Sequence, residues 1–136
     1  MSNKKITLIT GASSGIGEGL SKKLAKDGDI ICLLARRKDR LKAVQASIQE
    51  NGGKANIYPC DMTDTTQLKA TVQEILATHK RIDRLILNAG VGLGSNDWQN
   101  IQAIKRLFQT NLIGAIELIH LCLPHMQEQG QGHIIG

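Results

Sequence analysis

Apolar and polar positions follow two rhythms along the chain. Short runs rich in β-branched residues and leucine occur at Lys5 to Thr10, Ile30 to Leu34, Ala55 to Tyr58, Arg84 to Leu87 and His133 to Ile135. They are continuous rather than alternating, the pattern of parallel strands covered on both faces. Between them apolar residues recur at helical spacing: Leu20 and Leu24, then Leu41, Val44 and Ile48, then Leu68, Val72, Ile75 and Leu76. Asn51-Gly52-Gly53 is a helix stop, and Asp64 followed by Gln67 resembles a capping box. Strand, helix and strand repeating with short links predict right-handed crossovers: an α/β fold with a doubly wound parallel sheet in three layers, α/β/α. No internal boundary divides residues 1–136, so a single domain is expected.

The last helical stretch, from about Asn100 to Gln129, breaks the one-stripe rule. From Leu112 to Leu123 it is apolar almost all round, interrupted by Glu117 and His120. A second face therefore needs a cover, either further sequence of the same domain or a helix-to-helix contact in a homo-oligomer. Pro124 is expected to bend or end this helix.

Composition narrows the class. With 41% apolar and 21% charged residues in 136, the chain is globular. Seventeen Lys and Arg against twelve Asp and Glu give +5, which raises nucleic acid as a partner. One Trp, one Tyr and one Phe leave almost nothing to stack on bases, so no nucleic-acid partner is expected. The only basic cluster, Arg36, Arg37, Lys38 and Arg40, suits a small anionic ligand equally well. Cys32, Cys60 and Cys122 are widely spaced, without a Cys-x-x-Cys pair, and read as buried thiols of a cytoplasmic protein rather than disulfides or metal ligands. The apolar stretch after Met1-Ser2-Asn3-Lys4-Lys5 is too brief for a signal sequence, and no uninterrupted run approaches a membrane span of about 18 residues. No membrane partner is expected.

The first strand runs straight into Thr10-Gly11-Ala12-Ser13-Ser14-Gly15-Ile16-Gly17 and then a helix. Gly11 permits the sharp exit from the strand, Gly15 lets backbone approach a pyrophosphate, and Gly17 allows close helix–sheet packing. The helix start adds free N–H groups and the positive end of a dipole. At the end of the second strand, where an NAD site places an acidic residue for the ribose 2′-hydroxyl, stand Leu34-Ala35-Arg36-Arg37. Two guanidinium groups suit a 2′-phosphate, so NADP(H) is the expected cofactor ahead of NAD(H). The alternative is a solvated basic helix start. It fits Arg37 better than Arg36, since cations in a first helical turn oppose the dipole.

Together these residues resemble the short-chain dehydrogenase/reductase family over the whole chain. Thr10-Gly11-x-x-x-Gly15-x-Gly17, with Ser13, Ser14 and Ile16 inside it, is similar to the family's cofactor motif. Asp61-Met62 resembles its adenine-contacting acidic position, and Asn88-Ala89-Gly90 its second hallmark. The resemblance implies a Rossmann-like NAD(P)-binding domain and hydride transfer to or from a small carbonyl or alcohol substrate. It also matches Asn111 to the helix-four Asn that organises the family's proton relay; independently, Asn111 is a poor helix former between apolar neighbours and needs a hydrogen-bonding duty or a cap position. The family's acid/base is a Tyr in a Tyr-x-x-x-Lys pair, but the only tyrosine here is Tyr58, before Pro59, with Met62 four residues on. The domain is thus expected to be incomplete at its C-terminal end, truncated after strand five, and the 136-residue chain inactive and prone to associate. A non-catalytic, redox-sensing dinucleotide module is the competing reading.

Overall fold

The computed structural model describes residues 4–136; Met1 to Asn3, which carry part of the leader reading, lie outside the described residues. Strands β1 (Ile6–Thr10), β2 (Ile30–Ala35), β3 (Lys54–Pro59), β4 (Arg84–Ile86) and β5 (His133–Ile135) form one parallel sheet in the order β3-β2-β1-β4-β5. Helices α1 (Gly15–Lys26), α2 (Lys38–Glu50) and α3 (Thr65–His79) follow the first three strands, and α4 (Ile101–Gln129) links β4 to β5. The expected doubly wound α/β/α architecture is what the chain adopts.

The strands are continuously apolar because alternate side chains serve two cores. Ile6 and Leu8 of β1, with Cys32 and Leu34 of β2, face the layer of α3 and α4, where Leu68, Val72, Ile75, Leu118 and Cys122 meet them. Ile9, Ile31, Leu33 and Ala35 face α1 and α2, against Leu41, Val44 and Ile48. Burying a side chain such as Leu33 or Ile75 contributes about 1.5–3 kcal/mol. Two buried carboxylates lock the amino end of the sheet: Asp29 accepts from Thr7 Oγ1 at 2.7 Å and Arg84 Nη1 at 3.0 Å, and Asp83 accepts from the Ile6 N–H at 2.8 Å. Strand order reverses between β1 and its neighbours β2 and β4, so a crevice opens beyond the carboxyl ends of β1 and β4, where α/β sheets hold ligands.

The fold refines three expectations. Of the two outcomes expected at Pro124, bending or ending α4, ending does not occur, since the helix continues to Gln129. The position of Pro124 on the exposed face leaves the His120 carbonyl, freed by the missing N–H, open to water. No uninterrupted apolar run is span-length, as expected, although α4 taken as a whole is long and apolar enough to pass for a span by length and composition alone. Glu117 and His120 break the run without lowering the average enough. Gln67, finally, is only half a capping box. Asp64 accepts from the Gln67 N–H at 3.0 Å, but the Gln67 side chain accepts from the Asp61 N–H at 3.0 Å instead of reaching back to the cap.

One face of α4, with Gly114, Leu118, Cys122 and Met126, is buried on the sheet. The opposite face leaves Phe108, Leu112, Ile113, Ile116 and Leu123 between 39% and 54% exposed. The need for a second cover, read from the sequence, is thus visible in the fold.

Candidate functional site

The crevice holds a cavity of about 330 Å³ at the carboxyl ends of the central strands. Its wall brings together Gly11, Ser13, Ser14 and Ile16 from the glycine turn, Arg36 and Arg37 after β2, Asp61 and Met62 after β3, and Asn88, Ala89 and Gly90 after β4. Four separate stretches of sequence therefore converge on one space.

Thr10 fastens two of them. Its buried Oγ1 accepts from the Asn88 and Ala89 N–H groups, both at 2.9 Å, which fixes the β4 exit against the end of β1. The Asn88 amide then donates from Nδ2 to the Gly11 carbonyl at 3.3 Å. This close approach explains Gly11 and Gly17 more narrowly than helix–sheet packing does. Gly11 has φ +64°, and a Cβ there would lie 2.9 Å from Ala89 Cα. A Cβ on Gly17 would meet the Gly11 oxygen at 2.2 Å and Asn88 Nδ2 at 2.5 Å. Gly15 differs: nothing lies within 4 Å of a Cβ placed on it, so this side of the turn is open for a ligand, while its φ of +57° independently favours glycine. Gly15 and Gly17 shape the turn without lining the cavity.

Asp61 sits where β3 ends. Its Oδ1 accepts from the Thr63 N–H at 2.9 Å and from Thr63 Oγ1 at 2.8 Å. The backbone hydrogen bond from Thr63, aided by the Thr63 hydroxyl and the charges of Arg106 and Arg36, holds the carboxyl below its ordinary pKa against the opposing effect of partial burial. Arg36 and Arg37 are exposed at the rim and form no ion pair among the described residues.

Asn111 stands behind the cavity, not in its wall. It lies in a π-helical turn of α4, Gln109–Ile113, whose widened backbone turns the side chain toward the loop after β4. Its Oδ1 accepts from the Val91 N–H at 2.7 Å and its Nδ2 donates to the Val91 carbonyl at 2.9 Å, so both halves of the amide are used. Neither a cap nor a solvated turn describes it.

The cavity also includes Leu34, Ala35, Cys60, Val91 and Thr110. Thr110 is the residue sequence reasoning missed, although its place beside Asn111 marks the point where α4 passes the β4 exit. Gly114, one turn on, packs so tightly that a Cβ would lie 2.5 Å from the Met62 carbonyl oxygen. Tyr58 is buried in β3, and burial pushes its phenol well above the ordinary range, which removes it as an acid/base candidate. Among the described residues no cluster of His, Cys, Asp or Glu is arranged to hold a metal. Cys32, Cys60 and Cys122 are buried and unpaired with one another.

Comparison with known proteins agrees with this geometry. The family model for short chain dehydrogenases matches residues 5–136. A fatty acyl-CoA reductase of Acinetobacter baylyi is 39% identical over 134 residues, covering 96% of this chain and 45% of that enzyme. A ketoacyl reductase of Nostoc is 37% identical over 132 residues, covering 96% and 46%. The chain spans less than half the length of these two relatives. Among solved structures, a metagenomic short-chain oxidoreductase in complex with NADP superimposes with a TM-score of 0.92 at 32% identity, covering 96% of this chain and 60% of that one. An NAD+-bound xylitol dehydrogenase superimposes with a TM-score of 0.89 at 30% identity, covering 96% and 51%.

Proposed function

This chain belongs to the short-chain dehydrogenase family, and from that premise we propose that it forms the cofactor-binding part of an NADPH-dependent oxidoreductase that moves hydride to or from a carbonyl or alcohol carbon. The observation that carries the cofactor preference is the pair Arg36 and Arg37 at the rim beside β2, with no acidic residue at that strand end. Exposed and without ion-pair partners, both guanidinium groups are available to a 2′-phosphate. The pyrophosphate lies over the open side of Gly15 at the start of α1, and the adenine lies toward Asp61 and Met62. Ser13 and Ser14 supply hydroxyl donors beside the phosphates.

When bound, NADPH supplies the hydride. The residues of this chain bind and orient it: Thr10 and Asn88 hold the turn and the β4 exit together, and Asn111 fixes Val91 at the far end of the cavity. In the whole protein Asn111 helps order the proton relay. Tyr58, buried in β3 and outside the cavity wall, is not placed to be the acid/base group, and we infer that the chain of residues 1–136 by itself reduces no carbonyl substrate above background. We further infer that the protein is cytoplasmic, and that its exposed α4 face, with Leu112, Ile116 and Leu123, meets a second copy. Size-exclusion chromatography tests the second copy, a monomer being the refuting result.

Arg36→Asp tests the cofactor reading. One charge-assisted hydrogen bond contributes about 1.5–3 kcal/mol, so NADPH binding should weaken at least about tenfold while NADH changes much less. Calorimetric titration of both nucleotides measures this, and equal losses would show that Arg36 does not read the 2′-phosphate.

A further inference from the structure

At the other end of the sheet from the crevice, the amino ends of β1, β4 and β5 border a hollow of about 610 Å³. The five residues of β1, at about 3.3 Å each, keep the two spaces about 16 Å apart. Lys4, Lys5, Arg81, Arg84 and His133 line this hollow against a single carboxylate, Asp83. That carboxylate is already engaged, accepting from the Ile6 N–H and from Arg81 Nε at 2.7 Å. Arg84 donates from Nη1 to the buried Asp29 at 3.0 Å. Both guanidinium groups are thus pinned at the wall with N–H groups to spare. Lys4 and Lys5 form no ion pair among the described residues. Lys54, at the start of β3, stands close enough for side-chain contact and like charge to hold the Lys4 ammonium below its ordinary pKa. Cations are therefore crowded together after the local carboxylates have been used. The other lining residues are Gln131 and Gly132, so the hollow offers no apolar or aromatic side chain to an alkyl chain or a base.

We propose that this hollow is a second anion site, taking a compact inorganic polyphosphate: several negative charges on a ligand with no base and no apolar part. Arg81 and Arg84 present fixed planar donors to phosphoryl oxygens, and Lys4 and Lys5 add mobile ammonium groups. A chain of phosphoryl groups meets several of these cations at once, which a lone orthophosphate does not. The site is separate from the dinucleotide crevice and does not depend on how that crevice is read.

Calorimetric titration with inorganic triphosphate, orthophosphate and ATP, without divalent metal, tests the assignment. The unaltered protein should bind one triphosphate per chain, at least about tenfold more tightly than orthophosphate, because each added charge-assisted hydrogen bond is worth about a factor of ten. Lys4→Gln combined with Lys5→Gln should weaken triphosphate at least about tenfold. Both side chains are exposed and have no ion pair to lose, so the melting curve and NADPH affinity should stay where they are. Lys42→Gln combined with Lys105→Gln removes the same charge from exposed positions on α2 and α4, nearer the carboxyl end of the sheet, and should leave triphosphate little changed. Equal losses in the two lysine pairs would show diffuse surface charge and overturn the site. A loss of triphosphate binding in Arg36→Asp would place that ligand in the dinucleotide crevice and overturn it as well. ATP binding more tightly than triphosphate would reveal a base contact and refute a polyphosphate ligand, and no triphosphate binding by the unaltered protein would end the proposal.

Discussion

Replacing Gly17 by alanine adds one methyl group where the structure has no room for it. The new Cβ would stand 2.2 Å from the Gly11 carbonyl oxygen and 2.5 Å from Asn88 Nδ2. The first neighbour is backbone in a turn with φ +64°; the second is the end of the Asn88 side chain, held by its hydrogen bond to that same carbonyl. Relief requires α1 to shift away from the turn or the Asn88–Gly11 hydrogen bond to break. Overpacking of this kind costs about 1–3 kcal/mol, and the lost hydrogen bond adds about 0.5–1.5 kcal/mol. A total of about 2–4 kcal/mol corresponds to a drop of roughly 7–14 °C in melting temperature for a domain of this size. Gly19 supplies the control. It lies two residues on in the same helix, nothing stands within 4 Å of an added Cβ, and Gly19→Ala should be stabilising by up to about 1 kcal/mol through helix propensity. Thermal denaturation followed by circular dichroism, with NADPH titration of both variants, makes the comparison. If Gly17→Ala melts with the unaltered protein and binds NADPH equally well, the close approach of α1, Gly11 and Asn88 is not a determinant of this site.

Gly15→Ala should cost about 1–2 kcal/mol from its φ of +57° and also weaken NADPH; full stability would show the turn relaxes freely, and full binding would misplace the pyrophosphate. Thr10→Val keeps the shape but strips the acceptor from the Asn88 and Ala89 N–H groups, so chemical denaturation should show a loss of about 2–4 kcal/mol, and a change under 1 kcal/mol would mean those donors find other partners. Burial pushes the Cys32 and Cys122 thiols from 9.0 up to about 12. The folded chain thus keeps protons that the unfolded chain releases, and this stability is intact below pH 9 and lost as pH rises toward 12. A Cys32→Ala, Cys122→Ala variant should lose melting temperature less steeply across that window, and equal slopes would refute the assignment.

What the sequence reveals and what it conceals divide along physical lines. The five strands and the Leu41-Val44-Ile48 and Leu68-Val72-Ile75 faces are legible because burial on two sides of a sheet imposes a local composition. Glycine positions are legible as a turn, but their separate reasons are not: Gly17 is explained by Asn88, more than seventy positions away, and no local pattern encodes that distance. Thr10 shows the same limit, since a threonine ending a strand is unremarkable until its hydroxyl is seen to hold the β4 exit. The persistence of α4 beyond Pro124 depends on which face that residue occupies, and Thr110 matters only because the helix passes the β4 exit at the cavity. Asn111 is the intermediate case: its unsuitability for a helix interior announces a duty, while its partner, Val91, is visible only in three dimensions.

The bonds that shape the cavity share a feature with a functional consequence. Thr10 to Asn88 and Ala89, Asn88 to Gly11, Asn111 to Val91 and Asp61 to Thr63 all join a side chain to backbone at or just beyond a strand end, or on the helix that crosses there. None of them involves Arg36 or Arg37. The frame of the site is therefore part of the fold, and its losses appear as stability, whereas the cationic rim stands outside the packing. Surface substitutions with no partner to lose change stability by no more than about 0.5 kcal/mol. Arg36→Asp should accordingly move cofactor preference with the melting temperature almost unchanged, while Thr10→Val should lower both stability and affinity. If Arg36→Asp instead destabilises the protein as much as Thr10→Val does, the arginine is a structural member of the turn and the separation of frame from rim does not hold.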